Sequence, residues 1–185
     1  SEGSPIGDGL GALVAASFVR AVSDNDIKAD EITRDTIVQE LTFEDRTIYV
    51  VRAKGPGGTV GKPGKAIKKL VEEYGDSISR IIMIDAGLKL TGDKTGSMAI
   101  GVGAAIGGIG IEKHYIEEST TGKAIPIDAL ICKQSLEDAI TTMKRPITQS
   151  VPNFVDKIKM AIRKRTEKGS KIIIAGIGNT IGIGV

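Results

Sequence analysis

The chain is 185 residues long, 41% hydrophobic and 26% charged, which suits one globular domain able to bury a core without covalent staples. Its 25 basic and 23 acidic residues nearly balance, and it has no Trp and only three each of Tyr and Phe; this argues against a nucleic-acid binder, whose affinity rests on neutralised phosphates and stacked bases. One cysteine and one histidine exclude a disulfide framework and a Cys-rich zinc site, so any metal would be held mostly by oxygen.

Asp8, in Gly7-Asp8-Gly9-Leu10-Gly11, is placed as the N-cap of a helix whose apolar face is Leu10, Leu13, Val14, Phe18 and Ala21. The polar stretch Ser23 to Arg34 reads as a connection. Thr36–Phe43 and Thr47–Ala53 are rich in β-branched residues and flank Glu44-Asp45-Arg46, which predicts a hairpin. Gly55 to Gly64 holds five Gly and two Pro and is a loop; Lys65 to Tyr74 is a helix ending at Gly75. Ile81-Ile82-Met83-Ile84, within Ser79–Ala86, lacks the alternation of a half-exposed strand and so predicts one buried on both faces of a parallel sheet.

Gly87 to Gly110 reads as a Gly-rich loop. Glu112–Glu118 and Ile125–Cys132 bracket a turn at Ser119 to Lys123 and predict a second hairpin, with His114 on it as a packing residue. Cys132 is expected to be a buried, inert thiol. Ser135 opens a helix with Asp138 placed for a capping box. Val151–Thr166 is a basic amphipathic helix, with Pro152 in its first turn and Val155, Ile158 and Ile162 inward. Lys171–Ala175 is a last buried strand. Strands interleaved with helices indicate a three-layer α/β domain over residues 1–185, with a mixed, mainly parallel sheet.

No apolar run reaches the ~20 residues of a membrane-spanning helix. The chain opens without Met and stops inside a Gly/Ile pattern, so it reads as a piece of a longer protein. Its expected location is cytoplasmic, with any membrane tether in a missing N-terminal segment.

Three patterns carry chemistry. Gly101-x-Gly103 and Gly176-x-Gly178 lack the third Gly and the following acid of a dinucleotide fingerprint, so they read as tight turns. The loop Lys54 to Lys65 offers backbone amides, three lysines and a helix N-terminus to an anion, with Lys62, Gly64 and Lys65 as candidate contacts. It is no Walker A loop, because Pro63 replaces Ser/Thr and Pro56 stands at the first Gly. Asp8 and Asp85 stand at element ends, where open α/β sheets place ligands. If they converge, either their pKa values split for acid–base work or they hold a divalent cation between them. The alternative roles are N-cap for Asp8 and turn former for Asp85.

The segments around Asp8, Ile84-Asp85-Ala86-Gly87-Leu88-Lys89-Leu90-Thr91-Gly92-Asp93-Lys94-Thr95-Gly96-Ser97, Gly101 to Gly110 and Gly176 to Asn179 resemble an archaeal family of unknown function whose longer members carry an N-terminal membrane segment. The order of elements more remotely resembles the hydrogenase-maturation endopeptidases and germination-type spore proteases. That resemblance matches Asp8 and Asp85 to two acidic metal ligands. It puts Glu137 of Ser135-Leu136-Glu137 where the former have a His, so that Asp8, Asp85 and Glu137 would form the metal set. The paired acid before Asp8 is replaced by Gly7.

Two functions are therefore expected. One is a peptidase-like hydrolase of a peptide or protein substrate, in which Asp8 and Asp85, with or without a divalent metal ion, polarise water. The other is a non-catalytic ligand-sensing or assembly module that binds an anion at the Lys54–Lys65 loop.

Overall fold

A computed structural model describes residues 3–103, 114, 116–118, 120 and 122–184 of the chain. The apolar runs form the centre of a seven-stranded sheet. Its strands are β1 (Ala29–Thr33), β2 (Thr36–Phe43), β3 (Arg46–Ala53), β4 (Ile78–Leu88), β5 (Met98–Val102), β6 (Ile127–Gln134) and β7 (Lys171–Gly176), in the spatial order β1-β2-β3-β7-β4-β6-β5. Neighbours among β3, β7, β4 and β6 pair parallel, while β1–β2, β2–β3 and β5–β6 pair antiparallel. Adjacent β4 and β7 hold Ile81, Ile82, Ile84, Ile172, Ile173 and Ile174, each 0% exposed, as continuous apolar runs require.

Helix α1 (Leu10–Val22) precedes the sheet and α2 (Pro63–Tyr74) joins β3 to β4. Short α3 (Leu136–Ile140) and long α4 (Arg145–Arg165) join β6 to β7. The α2 crossover steps past β7 and the α4 crossover steps back past β4. Crossovers of one hand running in opposite directions place their helices on opposite sheet faces. The core divides accordingly. Ile48, Val50, Ile82, Ile84, Ile172 and Ile174 pack with α1 and α4. Tyr49, Val51, Ile81, Met83, Ile173 and Ala175 pack with α2. These are the three layers.

Helix α1 lies directly on the strand ends. A Cβ on Gly11 would run into the carbonyls of Ile177 and Ile84, and one on Gly176 would come within 2.6 Å of the Ala15 Cβ. Small residues here let helix and sheet approach closely. The first and last described stretches also meet. Gly3 lies against Ile181, and Gly182 against Gly3 and Pro5.

Several expectations are corrected. The stretch taken as a connection contains edge strand β1. β5 lies inside the stretch taken as a loop, and it, not 112–118, is the antiparallel partner of β6. Residues 114, 116–118 and 120 are helical, so His114 is on no strand; its side chain is 73% exposed. The rest of 112–118 lies outside the described residues. Helix α2 begins at Pro63 and α4 at Arg145, with a Pro in the first turn of each, which leaves Pro152 inside α4. The N-cap of α1 is Gly9, without a side-chain cap, while Asp8 sits in a preceding 3-10 turn, Gly7–Gly9. The Ser135–Asp138 capping box is present, and Cys132 is buried, its thiol pushed up to about 11 by desolvation.

Candidate functional site

The carboxyl ends of β3, β7 and β4 open into the stretches 54–62, 177–184 and 89–97, and the start of α1 joins them there. Asp8 is half-buried. Desolvation raises its pKa, and a hydrogen bond from the Asn179 backbone acts against that rise. Asp85, 4% exposed, ends the β4 run, where its Oδ1 accepts the Ala86 amide at 2.7 Å. It lies two residues beyond Met83, so strand alternation puts it on the α2 side. Asp8 leads into α1, which packs on the opposite face. Glu137 is exposed on α3.

Among the described residues, no three His, Cys, Asp or Glu side chains come together so as to hold a metal ion. The set Asp8, Asp85 and Glu137 therefore does not fit a three-carboxylate metal centre.

The acid beside Glu137 is the inward one. Asp138 is 2% exposed. Its Oδ1 pairs with Lys144 Nζ at 2.6 Å, and its Oδ2 accepts the Ser135 amide at 3.0 Å and the Thr95 hydroxyl at 3.3 Å. The Lys144 ammonium, then the Ser135 amide, hold its carboxyl well below the usual range. Asp93 on the 89–97 stretch is likewise engaged, by Lys133 at 2.8 Å and by the Leu90 amide at 2.8 Å.

The Lys54–Lys65 loop is stitched to the end of the chain. Thr180, 0% exposed, donates its hydroxyl to the Lys54 carbonyl at 2.9 Å and its amide to the Thr59 carbonyl at 3.0 Å. The Lys62 amide, a candidate anion contact, already donates to Thr36 Oγ1 at 2.6 Å, and Lys54 pairs with Glu31 at 3.1 Å. Gly64 is buried in the first turn of α2, with Lys65 half-buried beside it and Lys62 exposed.

A second region was not read from the sequence. Between the C-terminal half of α1, the 23–27 segment, β2 and β3 lies a cavity of about 430 Å³, lined by Ala16, Val19, Arg20, Asp24, Asp26, Ile27, Gln39 and Arg52 among others. Its size falls in the ~300–1,000 Å³ range of ligand pockets. The 23–27 segment is pinned by Gln39, whose Nε2 donates to the Ile27 carbonyl at 2.9 Å.

Arg52 is 1% exposed, and neither its Nε nor its Nη1 has a hydrogen-bond partner. Burial, and then the Arg20 charge, pull its pKa down to about 10, which still leaves the guanidinium charged near neutrality. Asp128 is a buried charge that the protein does pair: 3% exposed, it is held by Arg80 at 2.9 Å and Arg165 at 2.6 Å. The signal for Arg52 was present in Ile48-Tyr49-Val50-Val51-Arg52, where the Arg occupies the same alternate face as Ile48 and Val50.

No helix among the described residues is long and apolar enough to cross a membrane. No curated protein matches the chain. Residues 6–184 match the family described as the C-terminal domain of unknown function DUF1512, and the chain belongs to that family.

Proposed function

We propose that this domain is a binding module for a small anionic ligand held by Arg52. The observation that carries the reading is a buried guanidinium whose Nε and Nη1 have no hydrogen-bond partner, at the wall of a ligand-sized cavity. An unpaired buried charge is strongly destabilising, and a carboxylate or phosphate on the guanidinium fork would relieve it through charge-assisted hydrogen bonds. Arg20 lines the same cavity and adds a second positive charge.

The peptidase-like alternative needs Asp8 and Asp85 at one water or cation. Asp85 falls on the α2 side of β4 while Asp8 leads into α1 on the other face, and this is why the anion-binding reading is preferred. The Lys54–Lys65 loop is the weaker anion site, since the Lys62 amide and the Lys54 ammonium are both engaged within the protein.

Isothermal titration of acetate and of inorganic phosphate into the wild type, Arg52→Met and Lys62→Ala/Lys65→Ala tests the reading. Binding of at least one anion that is lost in Arg52→Met and kept in the lysine double variant is the expected result. No binding of either anion, binding unchanged in Arg52→Met, or binding lost only with the lysines would overturn it.

A further inference from the structure

The Arg52 cavity holds charges of both signs that leave one another alone. Arg20 and Arg52 line it together with Asp24 and Asp26. Among the described residues, neither acid lies within 4.0 Å of any cationic nitrogen, although charge pairs at that range form elsewhere, such as Lys28–Asp30 at 2.6 Å just beyond the cavity. The two signs are also separated by depth: Arg52 is buried at the β3 wall, while Asp24 and Asp26 are exposed on the 23–27 segment.

The backbone adds to the same polarity. Helix α1 ends at Val22, immediately before that segment, and the carbonyl end of a helix carries a partial negative charge. Of the carbonyls in that last turn, Val19 accepts the Ser23 amide at 3.1 Å. The 23–25 turn is closed by its own bonds: Ser23 Oγ donates to the Asn25 carbonyl at 3.0 Å and accepts the Asn25 amide at 3.3 Å. Asp24 lies within that closed turn and Asp26 just after it, both close in sequence to the helix C-terminus. A cationic group is favoured there by both the acids and the helix end, and an anionic group is favoured at Arg52.

Resting on the anion-binding reading above, we propose that the ligand is a small zwitterion of the amino-acid class, its carboxylate on Arg52 and its ammonium group at Asp24 and Asp26. The apolar wall formed by Ala16, Val19 and Ile27 would cover the carbon skeleton between the two charges.

The test uses pairs of molecules that differ only by an ammonium group: acetate and glycine, propionate and β-alanine, butyrate and 4-aminobutyrate. Each is titrated calorimetrically into the wild type, Asp24→Asn/Asp26→Asn and Arg52→Met, with circular dichroism to establish that every variant is folded. In at least one pair the amino member should bind the wild type about tenfold tighter than its partner, a preference worth one unit in log Kd. The double Asn variant should lose that preference while keeping the binding of the simple carboxylate, and Arg52→Met should bind neither.

Equal affinity within every pair, or a preference that survives in the double Asn variant, overturns the zwitterion and leaves the anion site standing. If the wild type binds neither a simple carboxylate nor inorganic phosphate, the anion-binding reading falls and the zwitterion with it. Because Asp24 and Asp26 are exposed, their replacement by Asn disturbs no core packing.

Discussion

Arg52 and Asp138 are both almost fully buried, and they show the two fates of a charge removed from water. Asp138 recovers its lost hydration from Lys144, the Ser135 amide and Thr95. Arg52 recovers none from the protein at Nε or Nη1. Removing an unpaired buried cation in favour of an apolar side chain of similar length should stabilise the unliganded fold, by ~1–4 kcal/mol where packing is kept. Arg52→Met is therefore expected to raise the denaturation midpoint in urea while abolishing anion binding. A loss of stability in the variant would mean that the guanidinium serves the fold itself.

For Asp138 the sign runs the other way. Its folded-state pKa lies below the ordinary 3.8, so the stability it contributes is fully present above that value and drains away as the pH falls beneath it. The Asp138→Asn variant should be less stable than the wild type near neutrality. The gap between their melting temperatures should narrow as the pH is lowered below about 5, because there the unfolded chain takes up the proton while the folded carboxyl still resists it. A gap independent of pH would assign the loss to shape rather than charge.

At the scale of elements, α1 is fixed by contact with backbone and not only with side chains. A methyl group at Gly11 would meet the carbonyls of Ile177 and Ile84, neither of which can rotate away as a side chain would. Gly11→Ala gains ~1 kcal/mol in helix propensity. It should nevertheless be destabilising overall, by ~1–3 kcal/mol or more, because overpacking against fixed atoms outweighs that gain. Gly57→Ala, where the same methyl meets nothing within 4 Å, is the control and should be close to neutral in the same chemical denaturation series.

The elements legible in the sequence are those whose burial writes a pattern. The central runs of β3, β4 and β7 and the apolar faces of α1, α2 and α4 were readable because each must be apolar where it faces the core. The edge strands were not. β1 reads Ala-Asp-Glu-Ile-Thr and has no fully buried residue, and β5 reads Met-Ala-Ile-Gly-Val with Ile100 53% and Val102 85% exposed. A strand paired on one side and half in solvent is under little pressure to alternate. Its partner was therefore sought in the more β-branched stretch after it. The start of α4 was misplaced for a different reason: two prolines compete for the helix N-terminus, and Pro146, not Pro152, occupies it.

For the whole molecule, the three-layer α/β class followed from element order, but the strand order and the candidate site did not. Asp8 and Asp85 are conspicuous by their neighbouring glycines, and those glycines have packing reasons: Gly11 lets α1 lie on the strand ends, and a Cβ on Gly87 would run into the Ile131 side chain. Arg52 is inconspicuous in sequence because an arginine near the end of a strand usually reaches solvent. It is buried only because the 23–27 segment, held by Gln39, and α1 close over β2 and β3. The alternation of β3 gives the face on which Arg52 stands, but the enclosure is a property of three distant pieces of chain.

The meeting of residues 3–5 with residues 181–182 has a consequence for topology in a wider sense. In its contacts the polypeptide is close to a ring. A short peptide linking the two ends would span little distance, and new ends could be opened at an exposed turn without cutting any of the parallel ladders. The same adjacency makes the domain suited to insertion into a host loop, because both of its connections leave from one place, and a host chain would see a small graft with a single point of attachment.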